Sequence, residues 1–301
     1  MNLFMKGRKK RMPVKSINSV DIRYEAYGKG ETLVYLQSPF GGLNPGAYYF
    51  AGRMSKFFHV IIWDGPNNGQ SSAVLKESAS EWHMFCFFLE KVLEQLHEEK
   101  VHLAGCSGGG EMALLFAHLY PDRVKSVSMY RPTDTTSGIE KEIVKARYYD
   151  LAEITHRESM EACLKYSQNP PETQFGRISG WIAALLRRNE KLLDGFDAEK
   201  LYKLLKSWGD FFGCPGFYKA NLTEEELAQI DVPVLIAPCA DCCHPEEIAV
   251  DLRKYLKNAF YIPSESFRRE DEIYGAPWEE HSFGGFAKFV DDCERFLLHL
   301  V

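Results

Sequence analysis

Residues 101–119 read Val101-His-Leu-Ala-Gly105-Cys106-Ser107-Gly108-Gly109-Gly110-Glu-Met-Ala-Leu-Leu-Phe-Ala-His-Leu119. A short apolar run leads into a glycine-flanked serine, and an apolar helical pattern follows. Gly105, Ser107 and Gly109 fit G-x-S-x-G between a buried strand and a helix. In that setting the turn is so tight that a side chain on either flank would collide with backbone, and the serine hydroxyl stands clear of the sheet edge. The helix beginning there points free N–H groups at any anion formed beside the serine. A glycine-serine loop without chemistry is the plainer alternative, and the strand-turn-helix context argues against it. Ser107 is the candidate nucleophile, with the Gly108 amide behind it as an oxyanion donor.

The flanking text alternates in the same way. Val20, Ile22, Tyr24 and Ala26 alternate with polar residues, which predicts a half-exposed antiparallel strand. Leu33–Leu36, Val60–Trp63, Val101–Ala104 and Val124–Tyr130 are apolar runs suited to strands buried on both faces. Trp82, Phe85, Leu89, Val92 and Leu96 recur at helical spacing, as do Met112, Leu115, Phe116 and Leu119. The predicted fold class is therefore α/β, a mostly parallel sheet with helices on both faces. After Tyr130 the strand signal stops for about a hundred residues, although Asp197 can cap a helix whose Leu201, Leu205, Trp208 and Phe212 form one stripe. Strands resume at Val234–Ala237 and at Phe260–Ile262, and a final helix carries Phe286, Phe289, Val290 and Phe296. The expected organisation is a basic flexible tail at 1–12, a core at 13–131 and 231–301, and a helical insertion at 132–230.

These features resemble the α/β-hydrolase family over nearly the whole chain. The segment from His102 to Val124 looks like the family's nucleophile strand, elbow and following helix. Asp64-Gly-Pro-Asn-Asn-Gly69-Gln-Ser71 resembles its structural loop after the fourth strand, and the helical insertion sits where the family places a cap. Serine rather than aspartate at the elbow implies acyl chemistry and disfavours epoxide or haloalkane hydrolysis.

The resemblance also implies the partners of the serine. In the family the triad acid commonly follows the seventh strand, which makes Asp241 the matching residue; it would hold a histidine in the right tautomer and stabilise its imidazolium. Asp241 could instead be a simple helix cap, and Asp134, after the sixth strand, is the reserve acid. The base follows the acid in chain order, and three histidines do so: His244, His281 and His299. His299 ends the last helix and His244 is close to Asp241, so His281 is the expected base. The family's second oxyanion donor falls near Gln37-Ser38-Pro39-Phe40. Pro39 has no N–H to give, so Phe40 is the candidate. Arg131 and Trp181 are candidate substrate-binding residues, Arg131 through a substrate carboxylate and Trp181 as aromatic surface, with a core–cap bridge for Arg131 and a place in the core or core–cap interface for Trp181 as the plainer alternatives.

The chain has 301 residues, 36 basic and 42 acidic, for a net charge of −6, with 45 % hydrophobic residues. That is the balance of a soluble globular protein, with no overall positive field for nucleic acid and no run of the ~18–20 apolar residues that would cross a membrane. The eight cysteines, with no signal peptide before them, suggest reduced thiols and a cytoplasmic setting. Cys239, Cys242, Cys243 and His244 cluster, but no second ligand pair accompanies them, so no metal and no cofactor are expected. The expected function is a serine hydrolase of a small to medium, apolar or aromatic carboxylic ester or lactone. The alternatives are an amidase, a carbon–carbon bond hydrolase or lyase, and a ligand-binding pseudoenzyme or receptor. The expected partner is a small-molecule substrate, with a homodimer left open.

Overall fold

A computed structural model describes residues 14–37, 42–76, 78–135, 138–173, 175–239, 244–263 and 278–300, with 139 and 278–284 described for backbone only. The first elements are β1 (Val14–Ile17), β2 (Val20–Tyr27), β3 (Thr32–Leu36), α1 (Pro45–Met54), β4 (His59–Trp63), α2 (Glu81–Leu96), β5 (Val101–Cys106), α3 (Gly108–Leu119) and β6 (Val124–Tyr130). Then come α4 (Gly138–Val144), α5 (Asp150–Arg157), α6 (Met160–Gln168), α7 (Trp181–Leu186), α8 (Ala198–Phe212) and α9 (Glu224–Gln229). The chain returns to the sheet with β7 (Val234–Ala237), α10 (Glu246–Leu252), β8 (Ala259–Tyr261) and α11 (Trp278–Leu298).

The sheet has eight strands in the order β1-β2-β4-β3-β5-β6-β7-β8. β2 is antiparallel to β1 and β4, and every pair from β4 to β8 is parallel. The continuously apolar runs are those central strands: β3 is buried at all five residues and β5 at its first five. Burial on both faces explains why those strands lack alternation, whereas β2, next to the edge, keeps some. β1 is the strand the sequence did not announce, being four residues of mixed polarity.

Helix positions follow local chemistry. Asp197 caps α8 by accepting from Lys200 N (2.8 Å), and Leu201, Leu205, Trp208 and Phe212 are buried on it as one stripe. α3 departs from the expected single stripe. It is buried nearly all round, from Gly108 to Ala117, because it packs into the centre of the molecule, and Leu119 is exposed at its end.

One buried ion pair fixes the loop after β4. Asp64, fully buried, accepts from Arg23 Nη1 (2.9 Å), Leu43 N (2.6 Å) and Gln70 N (2.9 Å). Ser71 Oγ donates to Asp64 O (2.5 Å) and accepts from Arg23 N (2.9 Å). Asp64 thereby ties β2, the chain after β3 and its own loop together. Removing Asp64 would leave Leu43 N and Gln70 N without this acceptor and take from the buried Arg23 one of its carboxylate partners, another being Glu25 at 2.5 Å. Asp64→Ala is expected to cost about 3–5 kcal/mol, read as a lower urea midpoint at unchanged slope. A loss below about 1 kcal/mol would contradict the role given to Asp64.

Candidate active site

Ser107 sits between β5 and α3 with φ 51° and ψ −135°, a left-handed backbone that non-glycine residues rarely hold. The glycines around it are there for space. A Cβ on Gly105 would lie 2.2 Å from the backbone of Gly109, and one on Gly109 would lie 2.0 Å from Leu36 O at the end of β3. β3, β5 and the first turn of α3 therefore pack backbone to backbone. Ser107 N donates to Tyr130 O (2.8 Å), which locks the turn to β6 as well. Gly108 is the first residue of α3, where helical N–H groups lack intrahelical acceptors.

His244 lies against the serine, its Nε2 3.1 Å from Ser107 Oγ. It comes from the loop after β7, a strand whose end lies beside that of β6. From sequence alone His244 is disfavoured as base because it is too close to Asp241 to come from a separate loop. That same closeness puts it on the loop that meets the elbow. Burial, reinforced by the Arg131 charge, pushes its imidazole down to about 3, with Glu140 on α4 opposing. It is a neutral imidazole in hydrogen-bond reach of the candidate nucleophile.

Arg131 is the residue after β6, with φ 58° and its N–H donating to Ala237 O (3.0 Å). Its charge acts on two groups beside Ser107. It depresses His244 and it partly opposes the burial that pushes the Cys106 thiol up to about 12. Arg131 is thus close enough to the elbow for its charge to act on the residue before Ser107 and on the imidazole beside it. Below it, Glu111 on α3 is fully buried and accepts from Thr133 N (2.6 Å). Burial holds this carboxyl well above the ordinary carboxylate range, and the nearby Asp134 adds to the shift. Glu111, which the sequence reading passed over inside an apolar helix, clasps the chain that leaves β6.

The other expected site residues divide as follows. Asp241 and Phe40 lie outside the described residues, as does Pro39. His281 falls in the first turn of α11 rather than in a loop before it, and its side chain is not among those described. Gly109 approaches Leu36 and Gln37, so the chain leading to Phe40 starts beside the first turn of α3. Trp181 is on α7, where its Nε1 donates to Arg147 O (2.8 Å) and its ring meets Arg147, Tyr148 and Trp208. Those contacts do not join it to Ser107. Among the described residues no group of three or more His, Cys, Asp or Glu side chains is arranged to hold a metal, and no helix is long and apolar enough to cross a membrane.

The His244 environment has a consequence in acid. The unfolded imidazole takes a proton near its ordinary value of about 6.5, while the folded one resists it to about 3. Between those values the unfolded state binds more protons, so stability falls as pH falls. Replacing the imidazole should flatten the urea-unfolding free energy of His244→Gln between pH 7 and pH 4, relative to wild type, by on the order of a few kcal/mol. Parallel curves for the two proteins would show that His244 protonates freely in the fold.

A family model for the alpha/beta hydrolase fold matches residues 42–155. The uncharacterized hydrolase YcgS of Bacillus subtilis is 24 % identical over 238 residues, 76 % of this chain and 80 % of that protein. A 2-hydroxy-6-oxononadienedioate/2-hydroxy-6-oxononatrienedioate hydrolase of Escherichia coli is 32 % identical over 111 residues, 34 % of this chain and 37 % of that one. Among solved structures, the enol-lactonase from Burkholderia xenovorans LB400 superposes with a TM-score of 0.53 at 16 % identity, covering 83 % of this chain and 90 % of that one. The strand order, the strained serine turn between β5 and α3 and these matches agree, and the chain has the α/β-hydrolase fold.

Proposed function

We propose that this protein is a serine hydrolase acting on small to medium, apolar or aromatic carboxylic esters or lactones. The observation that carries the reading is the serine at a strained strand-helix turn, φ 51°, flanked by Gly105 and Gly109, where a Cβ would lie 2.2 Å or less from backbone. A serine held this way, at the start of a buried helix, is placed to attack a carbonyl whose oxygen turns toward the helix amides. The enol-lactonase likeness is one of fold alone, and lactone substrates come to this chain as part of the proposal.

In the proposed reaction Ser107 Oγ attacks the carbonyl and its proton passes to His281, oriented by Asp241. The oxyanion rests on the Gly108 and Phe40 amides. The imidazolium returns the proton to the leaving alcohol, and the C–O bond breaks to leave an acyl-serine. His281 then takes a proton from water as its oxygen attacks the acyl carbon, returns that proton to Ser107 Oγ as the acyl–serine C–O bond breaks, and the acid is released. His281 is preferred to His244 as base because the base must carry the proton through the transition state. Burial beside Arg131 disfavours a charged His244. His244 then serves as a neutral hydrogen-bond partner of Ser107.

A second reading uses the same residues on a carbon–carbon bond. It is favoured by the 32 % identity to the Escherichia coli enzyme over 111 residues, and by the Arg131 charge acting on His244 beside the nucleophile, where it could meet a substrate carboxylate.

Turnover of a panel of p-nitrophenyl esters, aryl lactones and a vinylogous 1,5-diketone acid tests both readings. Ser107→Ala and His281→Ala are each expected to lose about 10⁴-fold or more in kcat, with His244→Gln losing about tenfold or less and Asp241→Asn losing far more than Asp134→Asn. Equal collapse of His244→Gln with an active His281→Ala would move the base to His244. Undiminished turnover by Ser107→Ala would overturn the proposal.

A further inference from the structure

Away from Ser107, the helical segment between β6 and β7 forms an open cleft of about 700 Å³, within the range of small-molecule sites. Its lining includes three arginines, Arg147, Arg177 and Arg187, and no aspartate or glutamate. In a chain of net charge −6 this is a local reversal of sign. Arg147 is buried and already answered by Glu81, at 2.9 Å. Arg177 and Arg187 are exposed, and among the described residues neither has a carboxylate partner. Four other cations of the same segment are ion-paired: Arg157 with Glu153, Lys145 with Asp150, Lys203 with Glu199 and Lys206 with Asp210.

The walls are fixed before any ligand arrives. Ser167, buried, donates to Ser179 O (2.7 Å) and accepts from Ala183 N (3.1 Å), and Ser179 Oγ donates to Gly176 O (2.5 Å). A Cβ on Gly176 would lie 2.2 Å from Pro171 O, so the turn that presents Arg177 is pressed onto the chain after α6. The Trp181 indole is held by its bond to Arg147 O and by the Arg147 guanidinium 4.5 Å from its ring centroid. With Pro170 and Ile178 it supplies an apolar wall beside two uncommitted guanidinium groups.

We propose that this cleft is a second ligand site, separate from Ser107, that binds a planar aromatic carboxylate. The carboxylate is taken by Arg177 and Arg187 and the ring by the apolar wall that Pro170, Ile178 and Trp181 form together. Arginine suits this task because its planar fork donates two parallel bonds to a carboxylate. Pre-fixed walls also lower the entropy lost on binding. The site does not depend on the reaction assigned to Ser107.

Isothermal titration of the full chain with 2-naphthoate tests it, beside 2-naphthamide and inorganic phosphate. Wild type should bind naphthoate saturably, with naphthamide and phosphate each at least about tenfold weaker. Arg177→Gln and Arg187→Gln should each weaken naphthoate by about tenfold, the double variant more, with thermal melting unchanged because both side chains are exposed. Arg157→Gln, which removes a paired charge elsewhere in the segment, should bind as wild type does. No saturable binding by wild type, equal binding of phosphate, or undiminished binding by the double variant would each overturn the proposal.

Discussion

The arrangement around Ser107 depends on backbone meeting backbone. Gly109 touches the Leu36 carbonyl and Gly105 touches Gly109, so β3, β5 and α3 come closer than side chains would allow. The positive φ of Ser107 follows from that approach, since the chain must reverse from strand to helix within one residue. Strain of about 1–3 kcal/mol at such a residue persists only where its surroundings leave no alternative. Here they consist of a helix buried nearly all round and a hydrogen bond to β6.

From that turn outward, the site is assembled from the ends of neighbouring strands. β5 brings Ser107, β6 brings Arg131 and β7 brings His244. In a parallel sheet these ends lie at one edge, which is why ligands gather there. The electrostatics follow from the same geometry: a buried imidazole next to a guanidinium stays neutral, and burial pushes the carboxyl enclosed on α3 well above the ordinary carboxylate range. The Asp64–Arg23 pair secures the neighbouring loops by a different means, a compensated charge in a dry place. The helical segment connects to this framework through Arg188, which donates to Asn67 O (3.0 Å) and to Ser71 O, and through the buried Arg147–Glu81 pair.

Much of this was legible in the sequence where local and tertiary requirements coincide. The central strands are continuously apolar because both faces are covered, and G-x-S-x-G records a steric need that glycine alone meets. Asp197 announced its helix through the capping bond it makes. β1 was not legible because four residues of mixed polarity at a sheet edge carry no pattern. The place of His244 was not legible because its partner is 137 residues away and is set by strand order. Glu111 was visible as a charge in an apolar helix. Only the packing shows that it is enclosed and holds Thr133. Trp181 stood out as an aromatic, but its role is decided by Arg147, whose backbone and guanidinium hold the ring.

The central claim is that Ser107 is an activated nucleophile. Intact-mass labelling of the wild-type chain with a fluorophosphonate, followed by peptide mapping, tests it most directly, because the adduct forms whatever the natural substrate is. The account predicts a single stoichiometric adduct on Ser107 and none on Ser107→Ala. A folded wild-type protein that takes no label, or takes it at another residue, would contradict it.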